Sequence, residues 1–237
     1  MAYQYDAIIF DLGDVLFDWS SSAITVLAKK LVHLMMLTTA WHNLERKLLS
    51  ADEAYTIFGA EHNVDPRLIR QALDQAQSTF HVCDEATVLL QELKQRDPRI
   101  KLYIMSNIAQ EHMDNLYNLA FPWHIFDRVF TSCGVGMRKP ELAFYRHVID
   151  ETGCDPVRTL YLDDKSENIC AGRILGLRGE IVKRGDRTRV FNLARNLLLN
   201  DAPQRAEGFL RPNAKRLHSV VIMGQGEDDV LFQDNFS

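Results

Sequence analysis

The chain has 237 residues, 46% of them hydrophobic, enough to bury a sizeable core as one large domain or as one domain plus an insert. Its 27 basic and 32 acidic residues leave a formal charge of -5 with no basic stripe, which speaks against a nucleic-acid partner. No apolar run reaches membrane-spanning length, no basic start precedes an apolar stretch, and the four cysteines make no C-x-x-C pair, so a cytoplasmic protein with reduced thiols and no membrane partner is expected.

The first element is a continuous apolar run, Ala7–Phe10, as in strands covered on both faces. It ends in the polar turn Asp11-Leu12-Gly13-Asp14. No strand signal follows between about Ser20 and Gln95. One of Ser20, Ser21 and Ser22 is placed to cap a helix. Ile24, Leu27, Ala28, Leu31 and Leu34 then take helical spacing, continued by Leu44, Leu48 and Leu49. Asp65-Pro66 opens another helix, with proline in its first turn. Residues 18–96 are therefore expected to form a helical insert.

Beyond Asp97-Pro98 the pattern changes. Strands are expected at Lys101–Met105, Asp127–Thr131, Thr159–Leu162 and Gly179–Val182. Helices are expected from Asn107 to about Leu119 and at Pro140–Thr152, Glu167–Leu175 and Arg189–Leu199. This alternation predicts an α/β core, residues 1–17 and 97–200, with a parallel sheet and flanking helices. The insert then forms a cap over the carboxyl ends of the strands. In the tail, 201–237, two apolar runs flank Gly224–Asp228 and read as a β-hairpin. That hairpin either decorates a sheet edge or leads into an additional C-terminal domain.

Ligands of open parallel sheets bind beyond the strand carboxyl ends. Those ends carry Asp11 after the first strand, Ser106 and Asn107 after the second, Lys139 after the third, and Asp163 with Asp164 after the fourth. Singly, each is an ordinary cap or turn residue. Together they suit phosphoryl transfer. A carboxylate nucleophile approaching an anionic phosphate needs cations to offset repulsion. Lys139 supplies one charge, and the acidic pair suits Mg²⁺, a hard ion that prefers oxygen ligands. Ser106 can donate to a phosphate oxygen, and Asp11 can attack phosphorus.

These segments resemble a family signature. Phe10–Leu16 looks like the first motif of haloacid dehalogenase-like hydrolases, and Ser106-Asn107 the second. Arg138-Lys139-Pro140, before a helix with Phe144 and Tyr145, resembles the third, and Leu162–Asn168 the fourth. The likeness runs from about Tyr3 to Val182. It implies a Rossmann-like core with a small helical cap and a magnesium-dependent phosphatase acting on a small-molecule phosphate ester. In that case Asp11 is the nucleophile and Lys139 its neutralising cation. Ser106, Asn107 and Lys139 bind the phosphoryl group. Asp11, the Gly13 carbonyl, Asp163 and Asp164 hold the metal.

One position departs from the pattern. Phosphatases of this superfamily usually carry an acid–base aspartate two residues after the nucleophile, where this chain has Gly13. Loss of such a group typically costs about 10²- to 10⁴-fold. Asp14, one residue on, should point elsewhere. A catalytically weakened domain that binds phosphate or a partner is one alternative, and a metal-free dehalogenase is another. A looser likeness, through Phe17 and the Asp234-Asn235-Phe236 end, is to fungal proteins of terpenoid biosynthesis. It implies a prenyl phosphate or diphosphate and an apolar cap interior, for which Leu31, Leu34, Met35, Met36 and Leu37 are candidates. Trp19, Trp41, His42 and Phe80 are candidates for substrate contact.

Overall fold

The structure is a computed structural model, and it describes residues 5–199. Strand β1 (Ala7–Phe10) has every residue buried and sends alternate side chains to opposite faces. Ile8 and Phe10 join one apolar layer, and Ala7 and Ile9 join the other. That two-sided burial is why the run carries no polar alternation.

β1 is the centre of a five-stranded parallel sheet. Its neighbours are β4 (Lys101–Ser106) and β6 (Thr159–Asp163), with β5 (Arg128–Thr131) and β7 (Arg178–Ile181) outside them. The chain leaves β1 for one flank and later returns to the other, so the strand order reverses at β1. A parallel sheet opens its ligand crevice at such a switch point. The sheet and its flanking helices give the α/β core expected from the sequence.

A two-stranded antiparallel ribbon, β2 (Phe17–Asp18) and β3 (His81–Val82), ties the two crossings between core and insert. Between them lie α1 (Lys29–Met36), α2 (Thr39–Glu45), α3 (Ala51–His62) and α4 (Pro66–Gln77). They bury a cluster of their own around Trp41, Tyr55, Phe58 and Leu73. Local chemistry sets several of their starts. Ser50 and Glu53 form a reciprocal capping box, and Asp65 caps α4 ahead of Pro66.

Several expectations shift. The apolar spacing from Ile24 does not start a helix there. A short 3-10 turn, Ser21–Ala23, comes first, and α1 begins only at Lys29. α2 ends at Glu45, so Leu48 and Leu49 lie in the turn after it. The expected insert runs to residue 96, but α5 (Asp84–Arg96) buries Leu89, Leu90 and Leu93 in the cluster that holds Ile8 and Phe10. It packs there with the helix Arg187–Leu199, whose Val190, Phe191 and Ala194 belong to the same layer. The sheet face supplies more apolar surface for α5 than the small insert offers. Among the described residues, no helix is long and apolar enough to cross a membrane. The hairpin expected in the tail lies outside the described residues.

Candidate active site

Asp11 follows the central strand, and its backbone N–H donates to the Leu162 carbonyl at 2.9 Å. That bond carries the sheet ladder one residue past β1, placing the Asp11 side chain between the ends of β4 and β6. Lys139 reaches it from the loop after β5. The Lys139 side chain is 1% exposed, with Nζ 2.9 Å from Asp11 Oδ1 and 2.6 Å from Asp163 Oδ2. Nζ also donates to the Met105 carbonyl at 2.9 Å. Asp11 Oδ1 is buried and faces this ammonium without accepting a directed hydrogen bond.

Asn107 explains how Lys139 is held. Its Oδ1 accepts from the Lys139 backbone N–H at 2.7 Å, and its Nδ2 donates to the Lys139 carbonyl at 2.8 Å. The amide staples the lysine loop to the end of β4 across 32 residues. Burial raises the pKa of the Asp11 carboxyl, and Ser106, buried beside it, partly opposes that rise through a hydrogen bond.

The two neighbouring acids divide their work. Asp163 Oδ1 accepts from Lys165 N at 2.9 Å and Asn168 Nδ2 at 2.8 Å, and Oδ2 accepts from Lys139 Nζ and, at 2.5 Å, from the Tyr161 hydroxyl. Four donors use the lone-pair directions of one carboxylate. Asp163 therefore anchors Lys139, while Asp164 lines the cleft. Sequence order alone could not tell these roles apart.

Charge explains what the cluster lacks. Asp11, Asp163 and Asp164 each place an oxygen within 4.8 Å of the others, against a single ammonium. Burial raises the Asp11 carboxyl; Lys139 opposes the rise and Asp163 adds to it. Burial, then Asp11 and Asp163, push Asp164 up to about 7. Burial also works against ionisation of Asp163, but Lys139 and the hydrogen bonds prevail and hold it low. Two of three carboxyls thus resist ionisation for want of positive charge. A hard divalent cation held between Asp11 and Asp164 would meet that need.

Lys139→Met is expected to destabilise the fold by about 3–5 kcal/mol, since it leaves buried carboxylates without their cation. Urea unfolding checks this, and a loss under about 1 kcal/mol would remove Lys139 from the centre of the ionic network.

Gly13 and Asp14 lie on the loop after Asp11. Asp14 takes a left-handed φ of 58° and turns its carboxylate to Arg184. That ion pair engages the Asp14 carboxylate, although Asp14 also lines the cleft over Asp11. Arg187 fixes the same loop: it clamps Asp18 through both guanidinium nitrogens at 2.8 and 2.7 Å and donates to the Asp14 carbonyl. No local pattern pointed to this pair, which is 169 residues apart.

The cleft over Asp11 has a volume of about 1050 Å³, part of it open to solvent. Its strand-end wall holds Asp11, Gly13, Ser106, Asn107, Asp164 and Lys165. Its far walls carry Phe17, Trp19, Met36, Trp41, Leu73 and Phe80. Of the α1 candidates, only Met36 lines it. Met35 is buried within the insert, and Leu34 and Leu37 are exposed. Trp19, Trp41 and Phe80 do line it; His42 does not. Leu73, Leu116 and His112 carried no advance signal, because they reach the cleft from α4 and from the helix Gln110–Tyr117 only after packing. Burial lowers His112 to about 4, so it is a neutral wall rather than a charge.

The model of haloacid dehalogenase-like hydrolases matches residues 8–181. The chain belongs to this family. Among curated relatives of this haloacid dehalogenase-like protein, the sesquiterpene phosphatase astK of Aspergillus oryzae is 31% identical over 76% of the chain and 90% of its own length. The drimenol cyclase drtB of Aspergillus calidoustus is 31% identical over 97% of the chain, but the chain spans only 42% of that protein. The fungal terpenoid likeness is therefore present at the level of sequence. A family enzyme of Bacteroides thetaiotaomicron, solved with magnesium and inorganic phosphate, superposes with a TM-score of 0.65 at 21% identity, covering 79% of this chain and 98% of that one. That likeness concerns the fold.

Proposed function

We propose that this hydrolase is a magnesium-dependent phosphatase acting on the phosphate or diphosphate ester of an apolar, prenyl-type alcohol through an aspartyl-phosphate on Asp11. The observation that carries the reading is the cleft itself. One wall carries Asp11 and Asp164, with Lys139 paired to Asp11 behind it, and the far walls are mainly aromatic and aliphatic, with Glu45, Gln77, His112 and Arg138 among them. A sugar phosphate would leave its hydroxyls facing Leu73, Met36 and Phe80 without partners, at a desolvation cost. An isoprenoid chain instead gains about 25 cal/mol for each Å² it buries there. The similarity to a sesquiterpene phosphatase supports the same substrate class.

In this reading an Asp11 oxygen attacks phosphorus as the ester oxygen departs. Lys139 offsets the charge of nucleophile and phosphoryl group, and the Ser106 hydroxyl donates to a phosphoryl oxygen. Asn107 keeps Lys139 in place and faces the same cleft. Asp11, Asp164 and the Gly13 carbonyl would hold magnesium, with Asp163 behind them, and the ion would supply the positive charge the carboxylates lack. Water then hydrolyses the acyl phosphate and regenerates Asp11.

Orthophosphate release from farnesyl phosphate and from glycerol phosphate, with magnesium and after chelation, tests the reading. The expected result is metal-dependent release with farnesyl phosphate preferred at least about tenfold in kcat/KM, the order of one or two buried methylenes' worth of discrimination or more. Preference for glycerol phosphate would refute the apolar substrate. Halide release from a 2-haloacid without metal would favour the dehalogenase. Magnesium binding with no turnover of any ester would favour the weakened binding domain.

A further inference from the structure

Beyond Lys139, the cleft holds two cations that the proposed chemistry at one phosphoryl group leaves unused. Arg138 and Lys165 both line it, and Lys165 directly follows Asp164. Arg138 Nε donates to Glu45 Oε2 at 3.1 Å, and its remaining N–H donors have no hydrogen-bond partner among the described residues. Glu45 is itself fixed, because its Oε1 accepts the Trp41 indole N–H at 3.0 Å. The Lys165 side chain is exposed and closes no ion pair among the described residues; its charge bears on Asp164. Positive charge is concentrated where the insert meets the core. Burial pushes the nearby His42 down, and Arg138, Arg46 and Lys165 push it further. Arg46, its own pKa lowered by burial and then by Arg138, is spoken for by Glu141.

A second feature of the same cleft concerns protons. Its lining acids are committed: Asp14 to Arg184, Glu45 to Arg138 and Trp41, and Asp11 and Asp164 to the carboxylate cluster. His112 is neutral and buried. With a metal held between Asp11 and Asp164, no acid among the described residues of the cleft would be left to protonate an alkoxide as it leaves. A leaving phosphate needs no such donor, since its second pKa is about 6 and it departs as an anion at neutral pH. What it needs is positive charge around its oxygens.

We infer that Arg138 and Lys165 form a subsite for the inner phosphate of a diphosphate ester, whose terminal phosphoryl group is the one presented to Asp11. This rests on the phosphatase reading and deepens it. Asp11 forms the bond to the terminal phosphorus. The bond from that phosphorus to the bridging oxygen breaks, and its electron pair stays on the oxygen. The organic monophosphate leaves as an anion, facing Arg138 and Lys165. Water then supplies the fourth oxygen of orthophosphate, the bond to Asp11 breaks, and a proton passes to solvent. The monophosphate product no longer fills both anion positions.

The test compares farnesyl diphosphate with farnesyl phosphate in wild type, Lys165→Glu and Arg138→Gln, all with magnesium. Wild type is expected to favour the diphosphate. The ratio of the two kcat/KM values is expected to fall about tenfold or more in each variant, the worth of a hydrogen bond to a charged group. Lys165→Glu carries the test alone if Arg138→Gln, which strips Glu45 of its cation, fails to fold. Methylenediphosphonate gives a readout free of turnover. It should raise the melting temperature more than orthophosphate does, and Lys165→Glu should abolish that excess. A selectivity ratio within about twofold of wild type in Lys165→Glu, or no excess from the diphosphonate, would overturn the subsite. Failure of wild type to release phosphate from any ester would instead refute the phosphatase reading, while the melting shift still judges the subsite.

Discussion

Gly13→Asp is expected to raise hydrolysis of an alkyl monophosphate by about 10²- to 10⁴-fold, the usual worth of a positioned acid–base group. The backbone at Gly13 has no positive φ, and a Cβ built there meets nothing within 4 Å. The position lines the cleft beside Asp11, so a carboxyl placed there has both room and direction. The gain should fall on alkyl monophosphates, whose leaving group needs a proton, and be far smaller on diphosphates. Phosphate release from both substrates across pH 5–9 measures it. A folded Gly13→Asp protein with wild-type rates on both would show that proton donation does not limit turnover.

Asp11→Asn is expected to lower phosphate release by about 10³-fold or more, because the amide cannot form the acyl phosphate and no other group replaces a lost nucleophile. The fold should survive. Burial, opposed by Lys139, raises the Asp11 pKa above its unfolded value, so at neutral pH the ionised carboxylate weakens the folded state, and weakens it more as pH rises from the unfolded to the folded pKa. Removing the charge relieves that cost, and Lys139 keeps Asp163 as its partner. Melting at or above the wild-type temperature, together with lost turnover, is the expected pair of results. A clear loss of stability would mean that Asp11 serves chiefly as the counterion of Lys139.

The sheet was legible because burial on both faces leaves an unmistakable trace. Ala7–Phe10, the run before Ser106 and the run before Asp163 are continuously apolar and end abruptly in polar turns. Those same turns carry Asp11, Ser106, Asp163 and Asp164, so strand order and strand ends foretold which side chains converge. The insert was less readable. Apolar spacing at Ile24 and at Leu48 is compatible with a helix, yet neither residue lies in one, and α5 has the same amphipathic pattern whether it packs on the insert or on the sheet. Periodicity reports that a face is buried, not what buries it.

The sequence by itself determined the α/β core, the place of the nucleophile candidate and the family. The tertiary structure alone decided that Asp163 anchors Lys139 while Asp164 faces the cleft, that Asn107 staples the lysine loop, and that Arg187 clamps Asp18. It also decided that Arg138, tied to Glu45, lines the cleft over Asp11. The reason is physical. Strand burial and turn chemistry act between neighbours and leave a period in the chain, whereas an ion pair or a cleft wall joins residues tens to hundreds of positions apart and leaves none.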